Sequence, residues 1–212
     1  MKVGSMFVVT VPSGFELEAK KEIERLIPHA KVRSLFFKGN LLLESPLEAG
    51  VVIARLKGPQ TTYIGRVFPV DSKLKISPNR ESIARLRDHV LLLGRLGNRD
   101  TFLVRCKRRG SHDFSSQEVE RELGSFLEKD TGAIVNLEAP IKIVIVQIFQ
   151  NLAFVGVTES ENVLIKRVQV SRKYAKGERP FTRAEHKTKE AIEAFDFGIK
   201  PEFEVLDIGA AP

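Results

Sequence analysis

The chain has 212 residues, 42% of them hydrophobic and 29% charged, enough for one large soluble domain or two or three small ones. No apolar run is long enough to span a bilayer, and the single cysteine, Cys106, excludes an internal disulfide. The four histidines, His29, His89, His112 and His186, are scattered without metal-ligand spacing. These features exclude membrane-spanning, disulfide-scaffold and metal-site classes, and a reducing cytoplasm is the expected compartment. The net charge of +7 suits a polyanion partner, and nucleic acid is the commonest in a cytoplasm.

In chain order, "MFVVTV" is a β-branched run that predicts a buried strand. "SGFE" reads as a capping box in which Ser13 and Glu16 exchange hydrogen bonds. Phe15, Ala19, Ile23, Leu26 and Ile27 follow at helical spacing until Pro28 stops the helix. "VRSLFF" and "LLLES" flank Lys38-Gly39-Asn40 as a hairpin, and "PLEAGVVIARL" reads as a second helix that Gly50 weakens. Strand, helix, hairpin and helix make most of a ferredoxin-like βαββαβ unit over residues 1–56, with "TTYIGRVFPV" a candidate for the last strand.

A second module covers residues 57–163. "ESIARLRDHVLLLGRL" predicts an amphipathic helix and "TFLVRCKRR" a strand. "SSQE" is a second capping box, Ser115 with Glu118, opening a helix whose buried face carries Val119, Leu123, Phe126 and Leu127. "IKIVIVQIF" and "LAFVGV" form a hairpin through Gln150-Asn151, apolar enough to predict burial on both faces. Residues 164–181 are a basic connector. From Thr182 a capped helix leads through Gly198 and Pro201 to the strand "FEVLDIG".

The basic charge is concentrated. Between Arg99 and His112 five cations face one anion, and between Asn162 and Glu190 nine cations face three. The remainder of the chain is slightly acidic. Along the first stretch Arg105, Lys107 and Arg109 alternate with Val104, Cys106 and Arg108, so both sides of the strand end can carry charge. Gly110 then turns the chain towards the amides that open the Ser115 helix. Cations beside a helix N-terminus form a phosphate-binding arrangement.

The stretch "FLVRCKRRGSHDFSSQEVERELG", followed by "VNLEAPIKIVIVQI" and "LAFVGV", resembles a THUMP domain, the RNA-binding module of several RNA-modifying enzymes. Such domains accompany an N-terminal ferredoxin-like domain, which the first module matches. The resemblance implies RNA contacts, most of all with tRNA, through Arg105, Lys107, Arg108, Arg109, His112, Ser115 and Ser116. It implies further contacts along the connector from Lys166, Arg167, Arg172, Lys173, Lys176 and Arg179, and from Arg183 in the helix that follows.

The end of the chain, "LDIGAAP", resembles the first strand and turn of a Rossmann-type methyltransferase using S-adenosylmethionine. Asp207, Gly209, Ala210 and Ala211 would lie against that cofactor, where small side chains allow close backbone approach. "TRAEHKTKEAIEAF" before it is similar to the segment leading into this motif in FtsJ/RrmJ-like ribose 2′-O-methyltransferases. There Lys187 would match the first catalytic lysine, although Thr188 departs from the usual leucine. Helical geometry sets Lys187 beside the apolar face of Ala184, Ala191, Ile192 and Phe195, where it either acts on a ribose hydroxyl or snorkels to water.

The expected fold class is therefore α/β, built of α+β modules: a ferredoxin-like domain, a THUMP domain, the connector, and over 182–212 the first helix and strand of a truncated Rossmann-like methyltransferase domain. The expected function is the RNA-binding portion of an S-adenosylmethionine-dependent RNA methyltransferase acting on tRNA, with ribose 2′-O transfer favoured. By itself the 212-residue chain is expected to be inactive and to bind the methyl donor weakly at best. The alternative is a stand-alone THUMP adaptor that presents tRNA to a separate enzyme. No metal and no membrane partner is expected.

Overall fold

The computed structural model describes residues 4–166 and Val168. The first strand, β1 (Ser5–Thr10), is followed by α1 (Glu16–Leu26), β2 (Lys31–Ser34), β3 (Asn40–Ser45), α2 (Ala49–Lys57) and β4 (Arg66–Val70). All their pairings are antiparallel, in the order β4-β1-β3-β2, which is the arrangement of a βαββαβ unit. "TTYIGRVFPV" does supply the closing strand. Gly50 is accommodated within α2, while the strand expected from "VRSLFF" stops at Ser34. Alternation puts Phe7, Val9, Leu41, Leu43 and Val67 on one face, where they pack on Ala19 and Ile23 of α1 and Val52 and Leu56 of α2.

The Ser13–Glu16 box takes a different form from the one expected. Helix α1 opens on Phe15 as N-cap, which supplies no side-chain cap bond. The Glu16 carboxylate instead accepts from the amides of Gly14 (2.9 Å) and Gly39 (2.6 Å), tying the helix start to the β2–β3 turn.

The second sheet holds β5 (Ser72–Lys75), β6 (Thr101–Arg109), β7 (Ile134–Val135), β8 (Lys142–Phe149) and β9 (Leu152–Glu159), in the order β5-β9-β8-β6-β7. β6 runs parallel to both β7 and β8, and β9 runs antiparallel to β8 and β5. Helices α3 (Glu81–Leu92) and α4 (Ser116–Thr131) cover one face, where Val104, Cys106, Val144 and Val146 meet Leu86, Val119, Leu123 and Leu127. The Ser115 capping box forms as expected: the Ser115 hydroxyl accepts from the Glu118 amide (3.1 Å) and the Glu118 carboxylate accepts from the Ser115 amide (2.7 Å). Phe126 is only partly buried.

The other faces of the two sheets pack together. Val8, Leu42, Phe68 and Val70 of the first meet Leu103, Ile143, Ile145, Phe149 and Phe154 of the second. This makes four layers, helix–sheet–sheet–helix, and explains why β8 and β9 are apolar along nearly their whole length. Phe154, 1% exposed between the sheets, contributes roughly 2–3 kcal/mol through burial.

The chain passes from one sheet to the other at Asp71, between β4 and β5. The Asp71 amide donates to the Val155 carbonyl (2.8 Å). Its carboxylate accepts from the Val157 amide (2.9 Å) and pairs with Arg95 (2.9 Å). Gly156 lies under this crossing. After β9 the chain returns to the first sheet, where β10 (Leu164–Ile165) pairs with β4. The start of the expected connector is thus part of a sheet.

Among the described residues no helix is long and apolar enough to cross a membrane, and no group of His, Cys, Asp and Glu side chains is placed to hold a metal.

Candidate nucleic-acid interface

Strand alternation divides the basic end of β6 in two. Val104 and Cys106 point into the helix-covered core, so Arg108 lies on that side. Leu103 points to the inter-sheet side, which therefore carries Arg105, Lys107 and Arg109. The two sets of groups expected to act side by side, these three cations and the Ser115 helix terminus, are consequently on opposite faces of the sheet.

On the inter-sheet side the first sheet does not reach far enough to cover the end of β6, and Arg105 and Lys107 are exposed. Arg109 is half-buried. Its guanidinium lies 4.8 Å from the centre of the Phe149 ring and donates weakly to Gln147 Oε1 (3.4 Å), itself buried on that face. Burial pushes the Arg109 guanidinium below its ordinary range, and the like charge of Arg66 at the start of β4 adds to the effect. The group nevertheless stays charged. Among the described residues no carboxylate lies within salt-bridge distance of Arg66, Arg105, Lys107 or Arg109, whereas Arg33, Arg80, Arg87, Arg95 and Lys142 are all paired. Three cations of β6, with Arg66 of β4 close to Arg109, leave a positive potential that no carboxylate among the described residues neutralises by pairing.

The helix side is built differently. Arg108 Nη1 donates to the Gly110 carbonyl (2.7 Å) and meets His112 Nδ1 (3.1 Å), while His112 Nε2 reaches the Gln150 carbonyl (2.9 Å). With Nε2 carrying the proton, Nδ1 accepts from Arg108, and the imidazole clips the β6–α4 loop to the β8–β9 turn. Gly110 is at φ +110°, a backbone conformation that a side chain would strain, and its backbone lies close to Gln150, whose Cα would be 3.1 Å from an added Cβ. The Ser116 hydroxyl accepts from the Arg108 amide (3.0 Å) and the Glu120 carboxylate from the Cys106 amide (2.8 Å). These two α4 side chains cover the open edge of β6. Cys106 is enclosed there: burial, then the nearby Glu120, pushes its thiol up to about 12, which leaves it protonated and unreactive.

The amides of Ser115 and Glu118 are committed to the capping box, and the Glu118 carboxylate sets a negative charge at the helix start. Arg80 binds it (2.6 Å) and also pairs with Glu122. The Arg80 hydrogen bond first, and the Ser115 amide and hydroxyl next, hold the Glu118 carboxyl at about 2. Because this lies below the ordinary 4.5, the carboxylate stabilises the fold fully above that pH and loses its contribution as pH falls towards 2. The stability gap between the wild type and Glu118→Gln should therefore be present at pH 7 and close on acidification from about 4.5 to 2. Denaturant midpoints measured across that range provide the check, and a gap independent of pH would refute the assignment.

Lys166, expected on the RNA path, turns inward: its ammonium donates to the Thr61 carbonyl (2.6 Å) and hydroxyl (3.2 Å), closing the end of β4. Arg167, Arg172, Lys173, Lys176, Arg179, Arg183, Lys187, Asp207, Gly209, Ala210 and Ala211 lie outside the described residues. The sequence reading missed Arg66, Gln147 and the Phe149 ring. The one polar residue inside "IKIVIVQIF" was a usable signal for Gln147, but nothing local links Arg66 to Arg109.

Residues 94–158, from just after α3 into β9, match the family model of the THUMP domain. The chain contains a THUMP domain. Over 220 aligned positions it is 31% identical to an uncharacterized protein of Methanocaldococcus jannaschii, covering 97% of this chain and 61% of that one. The chain thus spans about three fifths of that relative's length. A 67-residue stretch is 39% identical to the tRNA (guanine(6)-N2)-methyltransferase of Thermus thermophilus, covering 32% of this chain and 20% of the relative. A 41-residue stretch is 54% identical to the tRNA sulfurtransferase of Pseudomonas aeruginosa, covering 19% and 8%. The crystal structure of TrmN from Thermus thermophilus shares the fold, with a TM-score of 0.57 at 24% identity over 76% of this chain and 46% of that one. That coverage reaches beyond the THUMP domain, which itself holds β6 and its cations.

Proposed function

We propose that this chain is the RNA-binding portion of a tRNA-modifying protein, and that it holds folded RNA chiefly through phosphates. The observation that carries this reading is the group of cations Arg66, Arg105, Lys107 and Arg109, three of them on the THUMP domain, which no carboxylate among the described residues pairs with. Unpaired cations on a sheet face engage phosphates without reading sequence, as recognition of structured RNA by shape requires. The names of the Thermus and Pseudomonas relatives support tRNA as the RNA.

The chemistry downstream is a finer proposal. The segment from Thr182 through "LDIGAAP" supports a methyl transfer from S-adenosylmethionine, with Asp207, Gly209, Ala210 and Ala211 against the donor. Ribose 2′-O transfer rests on the Thr182–Lys187 segment alone. The Thermus relative's name favours a second reading, methylation of guanine N2.

RNA binding is tested by titrating the chain against a folded tRNA between about 50 and 300 mM salt. Affinity should fall steeply, linear in log affinity against log salt, with a slope set by the number of phosphates engaged. An affinity indifferent to salt would overturn the proposal.

A further inference from the structure

The β2–β3 turn presents a feature the phosphate-binding reading does not use. Phe36 is 89% exposed, yet it does not sit on a loose loop. The Leu35 amide donates to the Asn40 carbonyl (2.9 Å), and Asn40 Nδ2 donates to the carbonyls of Phe37 (3.1 Å) and Lys38 (2.8 Å). The Gly39 amide is held by Glu16, and the Gly39 carbonyl accepts from the Val11 amide (3.0 Å). The turn is thus pinned from inside and from the neighbouring strand and helix, and it holds a bare aromatic ring in water.

That ring is the outer end of a contiguous series. Phe36 meets Phe37 edge to face at 5.3 Å, and Phe37 lies 6.3 Å from Phe149. Phe149 is the ring that Arg109 covers. An isolated exposed phenylalanine needs no explanation. This one stands on a pinned turn and is continuous with the positive group, which gives it a flat face for stacking and cations within a short chain's reach.

On these grounds we infer that Phe36 is a stacking platform for an unpaired nucleotide of the bound RNA. The base lies on the exposed Phe36 ring, and the adjoining phosphates run along the edge to Lys107 and Arg109. Aromatic stacking with a basic track is how single strands are held without strict sequence readout. The inference rests on the RNA-binding reading and adds to it a requirement that part of the RNA be single-stranded.

Two variants of the chain test it against two probes, a single-stranded RNA heptamer and a blunt RNA duplex of the same length. The chain has no tryptophan, so Phe36→Trp places a lone indole fluorophore at the site. The heptamer should quench that emission strongly and the duplex should not. Phe36→Ala should bind the heptamer about tenfold more weakly, with the salt slope and the duplex affinity unchanged. Unquenched emission with heptamer bound, or an equal loss on both probes, would overturn the platform while leaving RNA binding intact. If the wild type binds a folded tRNA but not the heptamer, the platform falls alone; if it binds none of the three in a salt-dependent manner, the RNA reading fails and the platform with it.

Discussion

Replacing Arg105, Lys107 and Arg109 together by glutamine should weaken binding of a folded tRNA by roughly 100-fold at about 0.15 M salt. The magnitude follows from counterion release. Each phosphate that keeps its counterion, for want of a protein cation, takes about 0.7–0.9 off the slope of log affinity against log salt. Extrapolated from 1 M to about 0.15 M, three such phosphates amount to about two decades. The salt slope should fall by two to three units in the same experiment, which separates the removal of phosphate pairing from a damaged fold. Glutamine keeps most of the side-chain length and removes only charge. Arg105 and Lys107 are exposed, so their replacement should leave stability almost unchanged. Arg109 gives up its cation–π interaction with Phe149, worth about 1 kcal/mol. An unchanged salt slope would exclude this sheet edge from the interface, whatever happened to affinity.

Gly156→Ala should destabilise the chain by about 3 kcal/mol in chemical denaturation. Ordinarily the change favours a strand, because glycine loses more backbone entropy on folding. Here a Cβ would stand 2.6 Å from the Pro69 carbonyl oxygen and 2.8 Å from Val70 Cα, both backbone atoms where the chain crosses between the sheets. Neither can swing aside as a side chain would, and moving them disturbs the Asp71 bonds to Val155 and Val157. Gly124→Ala in α4 is the matched control. It is also buried, but its nearest new neighbour is Val104 Cγ2 at 3.8 Å, an ordinary van der Waals distance. That substitution should stabilise by up to about 1 kcal/mol through helix propensity. If both substitutions shift stability in the same direction, the sheets are not in their closest approach at Gly156.

Much of the architecture was legible because it depends on short-range periodicity. Ser115 and Glu118 cap α4 whatever surrounds them, and the apolar run of β8 needs burial on both faces in any fold. The alternation along β6 likewise announced that both sides of the strand end can carry charge. At Ser13–Glu16 the local pattern was incomplete for a tertiary reason: the Glu16 carboxylate has a partner in Gly39, across the β2–β3 turn, that no local pattern reveals. Lys166 misled similarly, since an ammonium free in the sequence finds the Thr61 carbonyl once β10 has paired with β4.

By itself the sequence determined the elements, the focus of basic charge and the resemblance to a THUMP domain, because these follow from neighbours along the chain. Only the tertiary structure decided which cations remain available. Strand period assigns Arg105, Lys107 and Arg109 to one side, but it cannot say that the first sheet stops short of them. Nor can it say that Arg66 and a pinned Phe36 come to the same edge. Those are meetings of distant segments, set by how two sheets pack across a shared apolar layer, and that packing carries no local signature.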